Sequence, residues 1–229
     1  MRSLTAFIAM ATLASIARGH FVFVYVVDNG SEARLVFGHT AAPDPSTPAT
    51  RAEKTALTAR DALGKEIKLS VEKGDGNYYR AKLPATKPVL VYGTTEAGVT
   101  QRGDKPPMLS WYYPKTIIGD PFAKETLVGK AVVLEIVPIK DGDKVRFRVL
   151  ADGTPLPEAD VTVGLPNAKE DTDKMVKTGK DGLTTSFAEK GRYCVAARRM
   201  VERAGEFEGK KYAAIRHTAT VVFDFGVAK

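Results

Sequence analysis

Short strand-like segments separated by tight turns run through most of the sequence, and this pattern constrains the fold more than any other feature. Eleven segments are rich in β-branched and aromatic residues, among them HFVFVYVV, ARLVFGH, KVRFRVL and TATVVFDF. Clusters such as DNG, KGDGN and KDGDK separate them, as turn residues separate antiparallel strands. Helical periodicity is confined to residues 50–63, where we expect one short helix that ends at Gly64. The sequence therefore predicts an all-β protein of sandwich architecture.

A Pro-rich stretch in the middle of the chain predicts two domains. Residues 101–115, QRGDKPPMLSWYYPK, are interpreted as a long loop, and the strand pattern becomes more regular after residue 129. We expect an N-terminal β-sandwich domain with long loops over residues 20–125 and a second, Ig-like sandwich over residues 126–229. In the second domain FRVLADGTPLPEADVTV, KTGKDGLTTSF and GRYCVAA resemble the prealbumin-like or carboxypeptidase-regulatory-like module.

Residues 1–19 have the features of a cleaved signal peptide. Arg2 precedes an apolar stretch over residues 4–17, which is shorter than the roughly 20 residues that span a bilayer. Ala17 and Gly19 are small residues at the positions that a signal peptidase requires, which would make His20 the first residue of the mature chain. A second cut, before Arg18, fits nearly as well. Both predict a periplasmic or extracellular protein, and no later segment is apolar enough to span a membrane.

Charge and cysteine content argue against a nucleic-acid-binding protein and against a disulfide-stabilised one. Loss of Arg2 and Arg18 with the leader lowers the formal charge from +7 to +5, and the chain has no basic run interleaved with aromatic residues. We therefore expect no nucleic-acid partner. The one cysteine, Cys194, cannot form an internal disulfide and lies in an apolar run, so we interpret it as a core residue.

The dipeptide Asn29-Gly30 predicts a tight hairpin, because both residues tolerate the positive φ angles of a type I′ turn. With these two residues in the loop, every cross-strand pair has residue numbers that sum to 59. His20 then faces His39 across the open end of the hairpin. Alternation places both histidines on the apolar face of the hairpin. Directly opposed Cβ atoms lie about 4.5–5.5 Å apart, so the two imidazoles can share one metal ion.

Cleavage before His20 would add a third nitrogen donor. The α-amine and imidazole Nδ1 of an N-terminal histidine can chelate one ion, and His39 would complete the arrangement known as a histidine brace. Such tetragonal nitrogen sites suit Cu(II) or Ni(II). His217 starts another apolar strand face and is a candidate fourth ligand or supporting group. Because the donors must be deprotonated, we expect the metal affinity to fall below about pH 6.

Several segments resemble the DUF4198 family. They are the histidine followed by FVFV, then VFGHT, EKGRYCVAA and GKKYAAIRHTATVVF, in that order. The family is related to periplasmic components of nickel and cobalt uptake systems, so the resemblance implies a transition-metal ligand (nickel, cobalt or copper) and a membrane metal transporter as partner. It matches His20, His39 and His217 to the family's histidines and Tyr212 to a nearby tyrosine. Residues 40–125 match little of the family.

A non-catalytic structural or carbohydrate-binding module is the alternative prediction. The WYYP of residues 111–114 could stack on sugars, as aromatic platforms do. The chain has no G-x-S-x-G, P-loop, dinucleotide fingerprint or paired metal-spaced cysteines. We therefore do not expect an enzyme.

Overall fold

A computed structural model describes residues 19–27, 30–166 and 172–227. The protein is mostly β, with 53% of the described residues in strands and 5% in helices, which confirms the predicted all-β sandwich class. All but the last residue of the predicted signal peptide (residues 1–19) lies outside the described residues, as do Asp28 and Asn29, which are half of the predicted turn. No helix in the described part of the chain is long and apolar enough to cross a membrane.

The described residues form seventeen strands and three short 3₁₀ helices. The strands are β1 (Phe21–Val26), β2 (Glu32–Gly38), β3 (Thr55–Arg60), β4 (Glu66–Leu69), β5 (Glu72–Lys73), β6 (Tyr79–Lys82), β7 (Leu90–Thr100), β8 (Met108–Ile117), β9 (Leu134–Asp141), β10 (Lys144–Ala151), β11 (Thr154–Pro155), β12 (Asp160–Gly164), β13 (Lys174–Lys177), β14 (Gly191–Val201), β15 (Gly205–Phe207), β16 (Lys210–Tyr212) and β17 (Ala214–Phe225). The 3₁₀ helices span Ala49–Ala52, Lys124–Thr126 and Gly129–Ala131.

An eight-stranded sheet, in the order β13-β12-β14-β17-β8-β7-β3-β4, lies at the centre of the fold. A four-stranded sheet (β1-β2-β6-β5) and a three-stranded sheet (β11-β10-β9) pack on it, and β15 and β16 form a separate hairpin. Among the strands of the described residues, all pairs are antiparallel except β17 with β8. The boundary predicted between residues 125 and 126 falls between β8 and β9, and strands from both sides of it form the eight-stranded sheet.

Apolar cores cover both faces of the eight-stranded sheet, because its central strands alternate apolar residues between the two sides. On β8, Tyr113 packs in the core shared with the three-stranded sheet, which also contains Phe147. Its neighbour Tyr112 packs in the core shared with the four-stranded sheet, together with Val24. Strand β1 is buried on both sides, since Phe23 packs in a third cluster near the middle of β14 and β17.

Residues 50–63 do not form the predicted helix. Ala49–Ala52 is a single 3₁₀ turn, and Thr55–Arg60 is strand β3. Along that strand every second residue is buried, with Leu57 and Ala59 in the core. Burial with a period of two, against β7 and the four-stranded sheet, outweighs the helix propensity of this segment. Gly64 closes the turn after the strand with a φ of 83°.

Residues 101–115 are a loop only in their first part. Met108–Ile117 is strand β8, paired with both β7 and β17, so the loop prediction is wrong for the WYYP segment. The prolines of this region favoured a loop, but pairing on both sides holds the segment extended. Tyr112 and Tyr113 are 4% and 6% exposed and point to opposite faces of the sheet, so their rings form no platform for a sugar.

Candidate functional site

The β1–β2 hairpin brings two of the three histidines together. Its observed register pairs Phe21 with Gly38 and Val26 with Ala33, which confirms the predicted pairing. His20 directly precedes β1 and His39 directly follows β2, so the register carries them to the same end of the hairpin. Their ring centroids lie 4.1 Å apart, with an angle of 39° between the ring planes. This facing pair is the centre of the candidate site.

The loop after His39 holds one nitrogen of the His20 ring. His20 Nε2 lies 2.8 Å from Thr47 Oγ1 and 3.4 Å from Asp44 Oδ2. The side chain of Asn77 fixes this loop, since its Nδ2 donates to the carbonyl oxygens of Asp44 and Thr47 and its Oδ1 accepts from the Ala49 amide. The partners on Nε2 leave Nδ1, the nitrogen nearer the main chain, for another ligand.

The environment of His20 favours a neutral imidazole. Burial lowers its pKa from the ordinary value, and the neighbouring His39 lowers it further. Asp44 acts in the opposite direction but does not reverse the shift. Asp44 itself accepts two hydrogen bonds from Ser46, at 2.8 Å from the amide and 2.6 Å from the hydroxyl, and these bonds hold the pKa of the carboxyl below its usual range. Neutral imidazole beside an ionised carboxylate is the protonation state that a metal ligand pair requires.

His217 lies on the opposite side of the eight-stranded sheet from His20 and His39. It is on the face of β17 that carries Ala219, Val221 and Phe223 into the core beneath the three-stranded sheet. The other alternate residues of β17 face the four-stranded sheet. One of them is Thr220, whose Oγ1 donates to the Val22 carbonyl at 2.7 Å. The predicted apolar strand face is therefore present, but the eight-stranded sheet separates His217 from the pair at His20.

Tyr113 is the partner of His217. The Tyr113 hydroxyl lies 2.8 Å from His217 Nδ1, and the two rings stack with their centroids 5.9 Å apart. Burial lowers the pKa of His217, and the charge of Arg199 lowers it further. Tyr212, the tyrosine that the family resemblance indicated, lies instead on β16 opposite Gly205. The stacked, hydrogen-bonded ring has the contacts of a histidine that stabilises the fold.

Side-chain carboxylates, thiols and imidazoles do not complete a metal site by themselves. Among residues 19–27, 30–166 and 172–227, no group of three or more His, Cys, Asp or Glu side chains is placed to hold an ion. Any metal at His20 and His39 would thus need a donor beyond these side chains, such as a main-chain amine. Cys194 is not a candidate, because burial raises the pKa of its thiol to about 11.

Several residues near His20 were not predicted from the sequence. Asp44 and Thr47 lie in a Pro-rich loop, where Asp-x-Ser indicates only a local turn. Three arginines, Arg102, Arg198 and Arg216, line a small cavity beside His20, and the first is far in sequence from the other two. No sequence signal links them. A larger cavity of about 590 Å³ lies at the opposite end of β1 and includes none of the three histidines.

The sequence profile of the family described as a domain of unknown function (DUF4198) matches residues 17–201. This range includes His20 and His39 but neither Tyr212 nor His217. No curated protein matches the sequence.

Two solved structures overlap the chain loosely. One is a tetra-tandem repeat in the extending region of a large adhesion protein, with 13% identity, 90% of this chain and 49% of that one covered, and a TM-score of 0.23. The other is the pullulanase from Anoxybacillus sp. LM18-11, with 14% identity, 86% and 28% coverage, and a TM-score of 0.19. The chain thus spans about half the length of the first and less of the second. At these TM-scores neither likeness bears on fold or function.

Proposed function

The chain belongs to the DUF4198 family, whose function is unknown, and we propose from its own residues that the mature protein is an extracytoplasmic, non-catalytic binder of a transition-metal ion. The ligands are the imidazole and α-amine of His20 and the imidazole of His39. The ion is nickel, cobalt or copper, and Cu(II) or Ni(II) fit a planar set of nitrogen donors best. The protein would buffer the ion or hand it to a membrane transporter.

The observation that carries this proposal is the pair of facing imidazoles at the chain position where a signal peptidase would cut. Their centroid distance of 4.1 Å is short enough for one ion to bridge the two rings after small rotations. The hairpin register sets this distance, so the pair does not depend on a flexible loop. Phe37, whose ring lies near that of His20 on the same side, has no atom that could bind a metal ion.

The contacts of His20 Nε2 support chelation through the other ring nitrogen. Metal-bound histidines usually donate their second N–H to a carboxylate or hydroxyl, which fixes the tautomer and the ring orientation. Thr47 and Asp44 provide such acceptors at 2.8 and 3.4 Å. Nδ1 and the α-amine of a first-residue histidine then close a six-membered chelate ring with the ion. His39 supplies the third nitrogen.

A metal titration of two forms of the protein tests the proposal. One form begins at His20, and the control retains Gly19 as its first residue, which moves the α-amine away from the chelating position. We expect the form starting at His20 to bind about one equivalent of Cu(II) or Ni(II), measured by isothermal titration calorimetry and electron paramagnetic resonance. We expect the Gly19 form to bind at least about 100-fold more weakly, since it loses a direct ligand. Equal affinities would show that the amine is not a ligand.

N-terminal sequencing of the secreted protein is the companion experiment. A start at His20 makes the amine available in the native protein. A start at Arg18 would contradict the proposed ligand set, because the amine would then lie two residues from the imidazole.

A further inference from the structure

Three arginine side chains surround a small cavity next to His20. Arg102 lies in the loop between β7 and β8, Arg198 lies on β14, and Arg216 lies on β17. The cavity measures about 60 Å³, and its remaining lining comes from Gly19, His20, Tyr112 and Thr218. The Arg198 guanidinium packs so tightly on Gly19 that a Cβ built there would lie 1.6 Å from its Nη2. The positive groups therefore reach the chain position directly before His20.

These arginines lack the carboxylate partners that other arginines of the protein have. Arg60, Arg80 and Arg192 each form ion pairs with acidic side chains. In the part of the chain that the structure describes, no carboxylate lies within 4.0 Å of the guanidinium of Arg102, Arg198 or Arg216. Asp160, whose charge acts on Arg198, pairs with Lys177 instead. No contacting carboxylate among the described residues therefore neutralises the three arginines.

The contacts that these arginines do make are with neutral groups. Arg198 lies over the ring of Phe21, with its Cζ 4.6 Å from the ring centroid. Arg216 donates from Nη2 to Ser110 Oγ at 3.0 Å, and its Nε is buried with no acceptor. A buried guanidinium N–H without an acceptor is costly, because it has lost its hydrogen bond to water. The cavity thus contains unused hydrogen-bonding capacity as well as charge.

The arginines also repel one another. Burial lowers the pKa of Arg198, and the charges of Arg216 and Arg102 add to this effect. An anion in the cavity would relieve this repulsion, whereas a water molecule would not.

We propose that the cavity is a binding site for a small oxyanion, such as phosphate or carbonate. Planar guanidinium groups hold the oxygens of such anions with pairs of charge-assisted hydrogen bonds. Thr218, which is 1% exposed, adds a hydroxyl to the lining. A volume of about 60 Å³ has room for on the order of four water-sized atoms, which matches an ion of four or five heavy atoms and excludes larger polycarboxylates such as citrate.

The site does not depend on the proposed metal. The cavity lining includes the three arginines but not His39, so an oxyanion there would contact the arginines. Were both sites filled, the negative charge of the oxyanion would offset the repulsion between the metal ion and three nearby guanidinium groups.

Calorimetric titration of the metal-free protein that begins at Gly19 tests the inference, because this form keeps every residue of the cavity lining. Inorganic phosphate, bicarbonate and citrate are the separate titrants. We expect phosphate or bicarbonate to bind with one equivalent and citrate to bind at least about tenfold more weakly. Binding of whichever small ion fits should weaken at least about tenfold in Arg198→Gln and several-fold in Arg102→Gln. Arg102 is exposed, so its variant keeps the test valid if Arg198→Gln does not fold.

Arg192→Gln is the matched control, since Arg192 lies on the same strand as Arg198 but pairs with Asp224. Its oxyanion affinity should equal that of the unaltered protein. Absence of binding by both small ions at millimolar concentration would overturn the inference. So would equal losses in Arg198→Gln and Arg192→Gln, because that result would indicate a general effect of surface charge.

Discussion

His20 and His217 have similar sequence settings but different surroundings. Each stands at or near the start of an apolar, alternating strand, and burial lowers the pKa of both imidazoles. His20 faces a second imidazole at 4.1 Å and has Asp44 close to its Nε2. His217 is stacked on Tyr113, to which its Nδ1 is hydrogen-bonded, and its nearest charges include Arg199. Only the first arrangement has the parts of a ligand site.

The difference shows that a lowered histidine pKa and an apolar strand face are insufficient to identify a metal ligand. Strand β17 sends alternate residues to opposite sides of the central sheet, and His217 is on the side away from the hairpin. A shift of one residue along β17 would reverse this assignment. His20 differs from His217 because a second imidazole, that of His39, lies beside it.

The sharpest test of the comparison is replacement of each histidine in the protein that starts at His20. We expect His20→Ala and His39→Ala to weaken Cu(II) or Ni(II) binding more than about 100-fold, since each removes a direct ligand and even supporting partners contribute 10–100-fold. His217→Gln, measured in the same calorimetric titration, should leave the affinity unchanged within about threefold. A loss in His217→Gln as large as in His39→Ala would contradict the assignment of His217 to the core.

A second test concerns the groups that orient His20. Asp44→Asn and Thr47→Ala should each reduce the metal affinity about tenfold, because the first removes the carboxylate charge beside the ring N–H and the second removes a hydroxyl acceptor, while all three nitrogen donors stay. Competition with a chelator of known affinity would measure the change. Ser186→Ala is a suitable control, since its side chain bonds with Asp141 far along the chain. No change in both Asp44 and Thr47 variants would argue against chelation through Nδ1.

The contact between Tyr113 and His217 should affect stability and not metal binding. Tyr113→Phe removes the hydroxyl that lies 2.8 Å from His217 Nδ1 and should destabilise the fold by about 1 kcal/mol. Urea unfolding of the metal-free protein would measure this loss. If Tyr113→Phe changed the metal affinity instead, the conformation of His217 would have to affect metal binding by His20 and His39 across the eight-stranded sheet.

The smallest expected effect is on the pH dependence of stability. Since the pKa of His20 and of His217 lies below the ordinary value in the folded protein, the folded state binds fewer protons than the unfolded state at mildly acidic pH. The contribution of these histidines to stability should thus be constant above about pH 7.5 and fall as the pH is lowered through about 6.5 toward about 5.

Urea unfolding of the metal-free protein between pH 7.5 and 5 would measure this slope, which His217→Gln should reduce. Carboxylates with lowered pKa, such as Asp44 and Glu66, lose their contribution only nearer pH 4. A stability that rises on acidification through this range would contradict both histidine shifts.

Predictions that rested on local pairing agree best with the structure. The paired residues of the first hairpin, from Phe21 with Gly38 to Val26 with Ala33, have numbers that sum to 59, as predicted. The turn itself differs, because the Gly30 N–H donates to the Val27 carbonyl, one position earlier than the predicted loop implies. Segments whose local propensity conflicted with their long-range partners were misjudged. Residues 50–63 have helix-forming side chains but pair with β7, and residues 108–117 contain Pro114 yet lie between β7 and β17.

The sequence by itself determined the all-β class and the approach of His20 to His39, because turn residues and two-residue alternation act over a few positions. Only the tertiary structure decided that His217 faces Tyr113 and that Arg102, Arg198 and Arg216 meet beside His20. The contact of Tyr113 with His217 joins residues 104 positions apart, and Arg102 is likewise far in sequence from Arg198 and Arg216. Which face of the sheet each strand presents to its neighbours is set by the packing of three layers, and that packing has no signature within any single segment.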